Sequence, residues 1–279
     1  MNKFGLIGFP LGHSLSAVIH KAGFESLGIE ASYEILETDP EDLVDRVKFF
    51  KRENYNGFNV TIPLKLPVSL FVQEVDKYAD IAGAVNTVKI NPDKTFKGYN
   101  TDAIGFKKAI PTSINLKGAN IALLGTGGAS RAAVLALSEL GVKYIGVYTR
   151  NIPNAMDYMA YMRRKFPEIE FESHQIDLVR DLSKYQMLVN TTPIGMLGRS
   201  ADLTPVEENV LKTMPEGAAV YDVIYNPKKT VLLKSAEKLG YTIINGLDMF
   251  IYQAIAAQEI WLGRTPDFNA MKIAALENL

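Results

Sequence analysis

The sequence predicts an α/β protein of two domains, one of them a Rossmann-type, doubly wound domain. Three observations predict it. Strand-like and helix-like segments alternate along most of the 279 residues. The apolar run 119–124 passes directly into Gly125-Thr126-Gly127-Gly128-Ala129 and a helical pattern. A polar, non-periodic stretch at 111–117 separates that unit from what precedes it.

In chain order, 4–9 reads as a strand and 16–27 as a helix with apolar positions 18, 19, 22, 24 and 27. Further strands are expected at 32–37 and 57–62, around a helix centred on 43–50. Residues 83–101 resemble a hairpin turning at Asn91-Pro92-Asp93. A short helix is expected at 104–109. After the strand at 119–124 come a helix at 129–140 and a strand at 143–149, which completes a strand–glycine turn–helix–strand unit. Strands at 187–191, 218–225 and 242–245 follow, then a helix at 248–262 that is expected to return to the first domain.

Composition narrows the function. The net charge of −1 offers no basic footprint for nucleic acid. Without cysteine there is no disulfide, thiolate zinc site or cysteine nucleophile, and His13, His20 and His174 are too scattered to suggest a metal site. No segment has the length of a membrane span, and the apolar run at the N-terminus stops at Pro10, unlike a signal peptide. A cytoplasmic protein is expected.

Several polar residues stand where chemistry could use them. Asn59-Val60-Thr61-Ile62 reads as a strand ended by Pro63, which leaves Lys65 just past the strand end. Asp102 follows Asn100-Thr101 and could equally cap the next helix. Ser14 and Ser16 lie near a helix start, where hydroxyls and the helix dipole suit an anion, although Ser16 also fits a plain N-cap. The glycines of 125–128 would let backbone approach a pyrophosphate at a helix N-terminus, although such a turn also serves as a tight strand–helix connection. At the end of the following strand, Thr149-Arg150-Asn151 has a cation where an NAD site would place an acid, which suits the 2′-phosphate of NADP.

Taken together, Gly8-Phe9-Pro10-Leu11-Gly12-His13-Ser14-Leu15-Ser16, Asn59 through Lys65, Gly83-Ala84-Val85-Asn86-Thr87-Val88 and Gly98-Tyr99-Asn100-Thr101-Asp102 resemble shikimate dehydrogenases in order and spacing. So do 125–131, Asn190-Thr191-Thr192, Asp222-Val223-Ile224-Tyr225-Asn226-Pro227 and the stretch from Gly246 to Gln253. The resemblance covers nearly the whole chain. It implies a substrate domain of 1–103 and 246–279, an NADP-binding domain of 104–245, and an active site in the cleft between them. It implies reduction of the C3 ketone of 3-dehydroshikimate to shikimate with NADPH, a step towards chorismate and the aromatic amino acids. Lys65 and Asp102 would form the catalytic pair and Ser14 and Ser16 would hold the carboxylate. Thr61, Asn86, Tyr225 and Gln253 would meet the rest of the ring. Besides the glycine turn and Thr149–Asn151, the cofactor would meet Thr192, Val223 and Gly246. Small molecules are the expected partners, with the chain a monomer or homodimer.

The chain also departs from the family pattern. Ala17 replaces a usual proline, Pro193 a frequent serine, Ser130 the usual third small residue of the glycine motif, and Asn154 a second arginine after Arg150. Two other readings remain. A quinate/shikimate paralogue would need room for an extra ring hydroxyl and often carries threonine at position 16. A non-catalytic ligand-sensing relative would have no need to keep both Lys65 and Asp102.

Overall fold

A computed structural model describes all residues except His13, with Asn154 described through its backbone alone. The chain forms two compact units, Met1–Phe106 with Phe250–Leu279, and Lys107–Met249. The sequence put the corresponding breaks at 103/104 and 245/246.

The first unit holds strands β1 (Asn2–Gly8), β2 (Ala31–Glu37), β3 (Gly57–Val60), β4 (Glu74–Val75), β5 (Thr87–Ile90) and β6 (Phe96–Tyr99), in the order β2-β1-β3-β5-β6-β4. β1 pairs in parallel with β2 and β3, while β5 runs antiparallel to both of its neighbours, β3 and β6. Its helices are α1 (Ser16–Ser26), α2 (Leu43–Arg52), α3 (Lys77–Ala82) and α4 (Asp102–Ala109), the last running into the second unit.

Sequence explains these elements locally. On α2, Leu43, Val47 and Phe50 recur at helical spacing and are buried, and Phe50 stacks on Phe58 of β3 with ring centroids 4.1 Å apart. α3 begins where the Asp76 carboxylate accepts from Ala79 N–H and ends at Gly83, whose φ of 61° is the left-handed cap that glycine allows. That stop delivers Asn86 to the start of β5. The expected hairpin is β5–β6, with Asp93 accepting from both the amide and the hydroxyl of Thr95.

In the second unit the strands are β7 (Asn120–Leu124), β8 (Tyr144–Thr149), β9 (Glu170–Gln175), β10 (Met187–Asn190), β11 (Ala219–Asp222) and β12 (Thr242–Ile244). All pair in parallel, in the order β12-β11-β10-β7-β8-β9. Numbered within the unit, that is the doubly wound order 3-2-1-4-5-6 reversed, whose topological switch point lies between β7 and β10. The helices here are α5 (Gly128–Glu139), α6 (Ile152–Lys165), α7 (Glu208–Leu211) and α8 (Val231–Lys238). α9 (Gly246–Leu262) starts in this unit and continues into the first, followed by α10 (Phe268–Glu277).

A buried carboxylate ties the strand ends beside the switch point. Asp222, fully buried, accepts from Asn190 Nδ2 at 3.0 Å, Ile224 N–H at 3.1 Å and Thr230 Oγ1 at 2.7 Å. Asn190 Oδ1 in turn accepts from the amide and hydroxyl of Thr192. Burial pushes the Asp222 carboxyl up to about 6, with the three hydrogen bonds opposing the rise.

Two predictions follow from the packing. At Gly57 a Cβ would meet the Trp261 indole nitrogen and stand 2.6 Å from the Val88 carbonyl oxygen, to which that indole donates at 3.0 Å. Gly57→Ala should therefore lower stability by about 1–3 kcal/mol, as overpacking does, read as a fall in Tm; an unchanged Tm would show that Trp261 shifts freely. Asp222 has a folded value raised above its unfolded one, so its contribution is full below about pH 4 and is lost as pH rises through about 6. The loss is on the order of 3 kcal/mol, two pKa units at about 1.4 each. The stability difference between Asp222→Asn and the parent should change between about pH 4 and 6 and be flat above. A difference that is flat throughout would refute the buried titration.

Candidate active site

Lys65 is held by the turn that follows β3. The Ile62–Pro63 peptide is cis, Leu64 N–H donates to Thr61 O at 2.8 Å, and Val85 N–H donates to Lys65 O at 2.9 Å. Leu64 is fully buried and anchors the turn in the core. The Lys65 ammonium donates to Asp102 Oδ2 at 2.5 Å, with the two side chains only 16% and 9% exposed. Asp102 lies in the first turn of α4, where the helix dipole favours an anion. Its other oxygen accepts from Asn86 Nδ2 at 2.8 Å.

Asn86 is buried and fully engaged. Its amide also donates to Thr101 Oγ1 at 2.9 Å, and its carbonyl accepts from Thr101 N–H at 2.8 Å. Both amide hydrogens are thus spent within the protein, and a substrate hydroxyl reaches Asn86 only by replacing one of these bonds. The structure makes Asn86 first of all the residue that orients Asp102.

Ser14 and Ser16 face each other. Ser14 Oγ donates to Ser16 Oγ at 3.1 Å and accepts from Ser16 N–H at 3.3 Å. Ser16 is the first residue of α1, inside the helix and not at its N-cap, so the capping alternative for its side chain falls away. The adjacent His13 lies outside the described residues. Thr61 is half-buried next to Gly8, where a Cβ would meet the Thr61 methyl and stand 2.9 Å from Ile62 O. Gln253, on α9, donates to Phe250 O one turn back at 2.8 Å. Tyr225, whose hydroxyl pKa is raised by burial, belongs to the second unit, beside a cis Asn226–Pro227 peptide.

The structure also reveals residues behind these that the sequence did not single out. Tyr33 on β2 donates to Asn59 Oδ1 at 2.7 Å, and Asn59 Nδ2 donates to Thr87 Oγ1 at 2.9 Å. Asn59 stood in a recognised motif, but nothing local marked Tyr33, an ordinary strand tyrosine.

In the second unit, Gly125 leaves β7 at φ 103°, a conformation that favours glycine, and a Cβ there would stand 2.8 Å from Thr191 Oγ1. Gly127 precedes α5 with no side-chain cap and with open space around a Cβ position, so the first amides of the helix are available to an anion. Thr126 and Ala129 flank that opening, half-buried. Thr191 Oγ1 donates to Leu124 O at 2.6 Å, joining the crests of β7 and β10, which brings Thr192 beside the glycine turn. Gly246 is equally constrained, since a Cβ would collide with the Val223 carbonyl oxygen. Arg150 and Asn151 are exposed just past β8, with Asn151 N–H donating to Thr149 Oγ1 at 3.3 Å. Ser130, the departure from the small-residue pattern, is buried and donates to Tyr158 of α6 at 2.6 Å. The uncapped helix, the open glycine and a cation in place of the acid fit a phosphorylated dinucleotide.

Among the described residues no cluster of histidine and carboxylate side chains could hold a metal, and no helix is long and apolar enough to cross a membrane.

Comparison with known proteins agrees with this geometry. Residues 6–88 match the family model of the shikimate dehydrogenase substrate binding domain, and 246–276 that of the shikimate 5'-dehydrogenase C-terminal domain. The chain is 39% identical over 278 residues to a shikimate dehydrogenase (NADP(+)) of Bacillus cereus, covering 99% of this chain and 98% of that one. Its structure resembles that of Thermus thermophilus shikimate 5-dehydrogenase in complex with NADP(H) and shikimate, with a TM-score of 0.86, 33% identity and full coverage of both chains. It also resembles a ligand-free 5-ketofructose reductase of a Gluconobacter strain, with a TM-score of 0.86 and 30% identity over 100% of this chain and 99% of the other. With a relative this similar along its whole length, the chain belongs to the shikimate dehydrogenase family.

Proposed function

We infer that the protein reduces 3-dehydroshikimate to shikimate with NADPH, and runs the reverse reaction with NADP. The observation that carries this reading is the desolvated Lys65–Asp102 pair held by Asn86. Hydride arriving at a ketone carbon leaves charge on the oxygen, and an ammonium beside that oxygen both stabilises the charge and supplies the proton. Asp102 fixes the ammonium and keeps lone pairs free to accept from a ring hydroxyl. In the reverse direction Lys65 takes the proton back.

The remaining roles follow from chemistry. Residues 1–103 and 246–279 form the substrate domain and 104–245 the nucleotide domain. The hydroxyls of Ser14 and Ser16 bind the substrate carboxylate, and Thr61, Asn86, Tyr225 and Gln253 read the ring. When bound, the nicotinamide supplies the hydride. The backbone of Gly125, Thr126, Gly127, Gly128 and Ala129 receives the pyrophosphate, while Thr149, Arg150 and Asn151 receive the 2′-phosphate. Thr192, Val223 and Gly246 form the wall on the far side of the switch point. The protein acts in the cytoplasm as a monomer or homodimer.

Two substitutions test the assignment in the oxidation of shikimate by NADP. Lys65→Met keeps bulk but removes the proton carrier, so kcat should fall by roughly 10²–10⁴-fold with a much smaller change in KM for shikimate. Parental turnover in a folded variant would sink the role given to Lys65. Arg150→Ala should raise KM for NADP by roughly ten- to a hundredfold, about 1.4–2.7 kcal/mol, and leave KM for NAD nearly constant. If the ratio of kcat/KM for the two cofactors stays the same, another residue reads the phosphate.

A further inference from the structure

A line of polar side chains runs through the first unit from Tyr33 to the catalytic pair, and each link from Tyr33 to Asp102 donates in the same sense. Tyr33 donates to Asn59 Oδ1 at 2.7 Å, Asn59 Nδ2 to Thr87 Oγ1 at 2.9 Å, and Thr87 Oγ1 to Asn86 Oδ1 at 3.1 Å. Asn86 Nδ2 then donates to Asp102 Oδ1 at 2.8 Å, so the line ends on the carboxylate that grips Lys65. Head-to-tail hydrogen bonds polarise one another, and a charged acceptor at the end strengthens the series. Asn59, Thr87 and Asn86 are all buried, so water does not readily replace a lost link.

Tyr33 is the point at which this line is held from outside. Its ring stacks on His20 with centroids 4.2 Å apart and planes within 9°. His20 is fixed by Gln258 of α9, whose amide nitrogen lies 3.1 Å from His20 Nδ1 and donates to His20 O at 2.9 Å. The phenol thus arrives at Asn59 with its ring already immobilised by packing that does not involve the hydroxyl.

We propose that Tyr33 is a positioning residue for the proton transfer, its hydroxyl setting the Asn59 amide and, through Thr87 and Asn86, the orientation of Asp102 and Lys65. A carboxamide whose acceptor and donor ends are both specified cannot flip, and an unflipped Asn86 presents an N–H rather than a carbonyl oxygen to Asp102. The proposal rests on the assignment of Lys65 and Asp102 as the proton-transfer pair.

The test compares Tyr33→Phe, Thr87→Val, Thr87→Ser and the Phe/Val double variant in shikimate oxidation by NADP, with Lys65→Met alongside. Tyr33→Phe keeps the stacked ring and Thr87→Val the side-chain shape, while each removes one link; each should lower kcat roughly tenfold and leave KM for NADP within about twofold. Because both cut the same line, the double variant should fall within about twofold of the poorer single one. Thr87→Ser loses a methyl but keeps the hydroxyl, and should retain most of kcat; Tm of each variant shows that it is folded. Parental kcat in Tyr33→Phe, losses that multiply in the double variant, or a loss in Thr87→Ser equal to that in Thr87→Val would each overturn the proposal. If Lys65→Met instead keeps parental turnover, the assignment of the pair is what fails; a crippled Lys65→Met beside a normal Tyr33→Phe fails only the positioning role.

Discussion

Withdrawing a lysine and an aspartate from water at one point is the constraint around which the first unit is arranged. With side chains 16% and 9% exposed, the Lys65–Asp102 pair has lost most of its hydration, and its mutual attraction offsets that loss only if the remaining lone pairs and protons are satisfied. Asn86 and the N-terminus of α4 provide that compensation. Each depends on ordinary folding features: the Gly83 cap that stops α3 before β5, the β5–β6 hairpin that brings Asn86 beside Thr101, and the buried Leu64 that anchors the turn carrying Lys65. The polar line back to Tyr33 extends the same requirement, since a buried amide that fixes Asp102 must itself be fixed.

A different constraint shapes the second unit, where backbone must come close to a ligand and strand-end loops must stay close to each other. Gly125 and Gly246 stand where a side chain would strike a neighbouring loop, and Gly127 where a side chain would fill the space in front of a helix N-terminus. Asp222 keeps the crests of β10 and β11 together at the cost of a buried carboxylate whose pKa rises to about 6. That cost is offset because three donors, from Asn190, Ile224 and Thr230, converge on the carboxylate where water is excluded.

Much of this was legible in the sequence, for reasons that differ by element. The glycine turn could be read because its strand and helix are both strongly apolar, and α2 because Leu43, Val47 and Phe50 keep helical spacing. Lys65 and Asp102 were paired across 37 positions through motif resemblance, and the two side chains meet. By contrast, β9 carries Glu170, Glu172, His174 and Gln175 at the sheet edge, so the expected apolar run is absent, and α6 begins with a proline in its first turn. Neither element was expected. α9 starts at Gly246, two residues earlier than expected, because glycine permits the close approach to Val223 there. Tyr33 was invisible, and Thr87 stood in the recognised 83–88 stretch without a role, because what they do comes from side chains met across strands, and single-strand patterns do not record such pairings.

The central claim is that hydride moves directly between shikimate and the nicotinamide while Lys65 handles the proton. The most direct measurement follows a deuterium placed on C3 of shikimate during its oxidation by NADP. The account predicts that the label appears on the nicotinamide ring of NADPH, with none released to water. Label found in solvent, or no NADPH formed from shikimate while a carboxylate-free ketose is reduced instead, would contradict it.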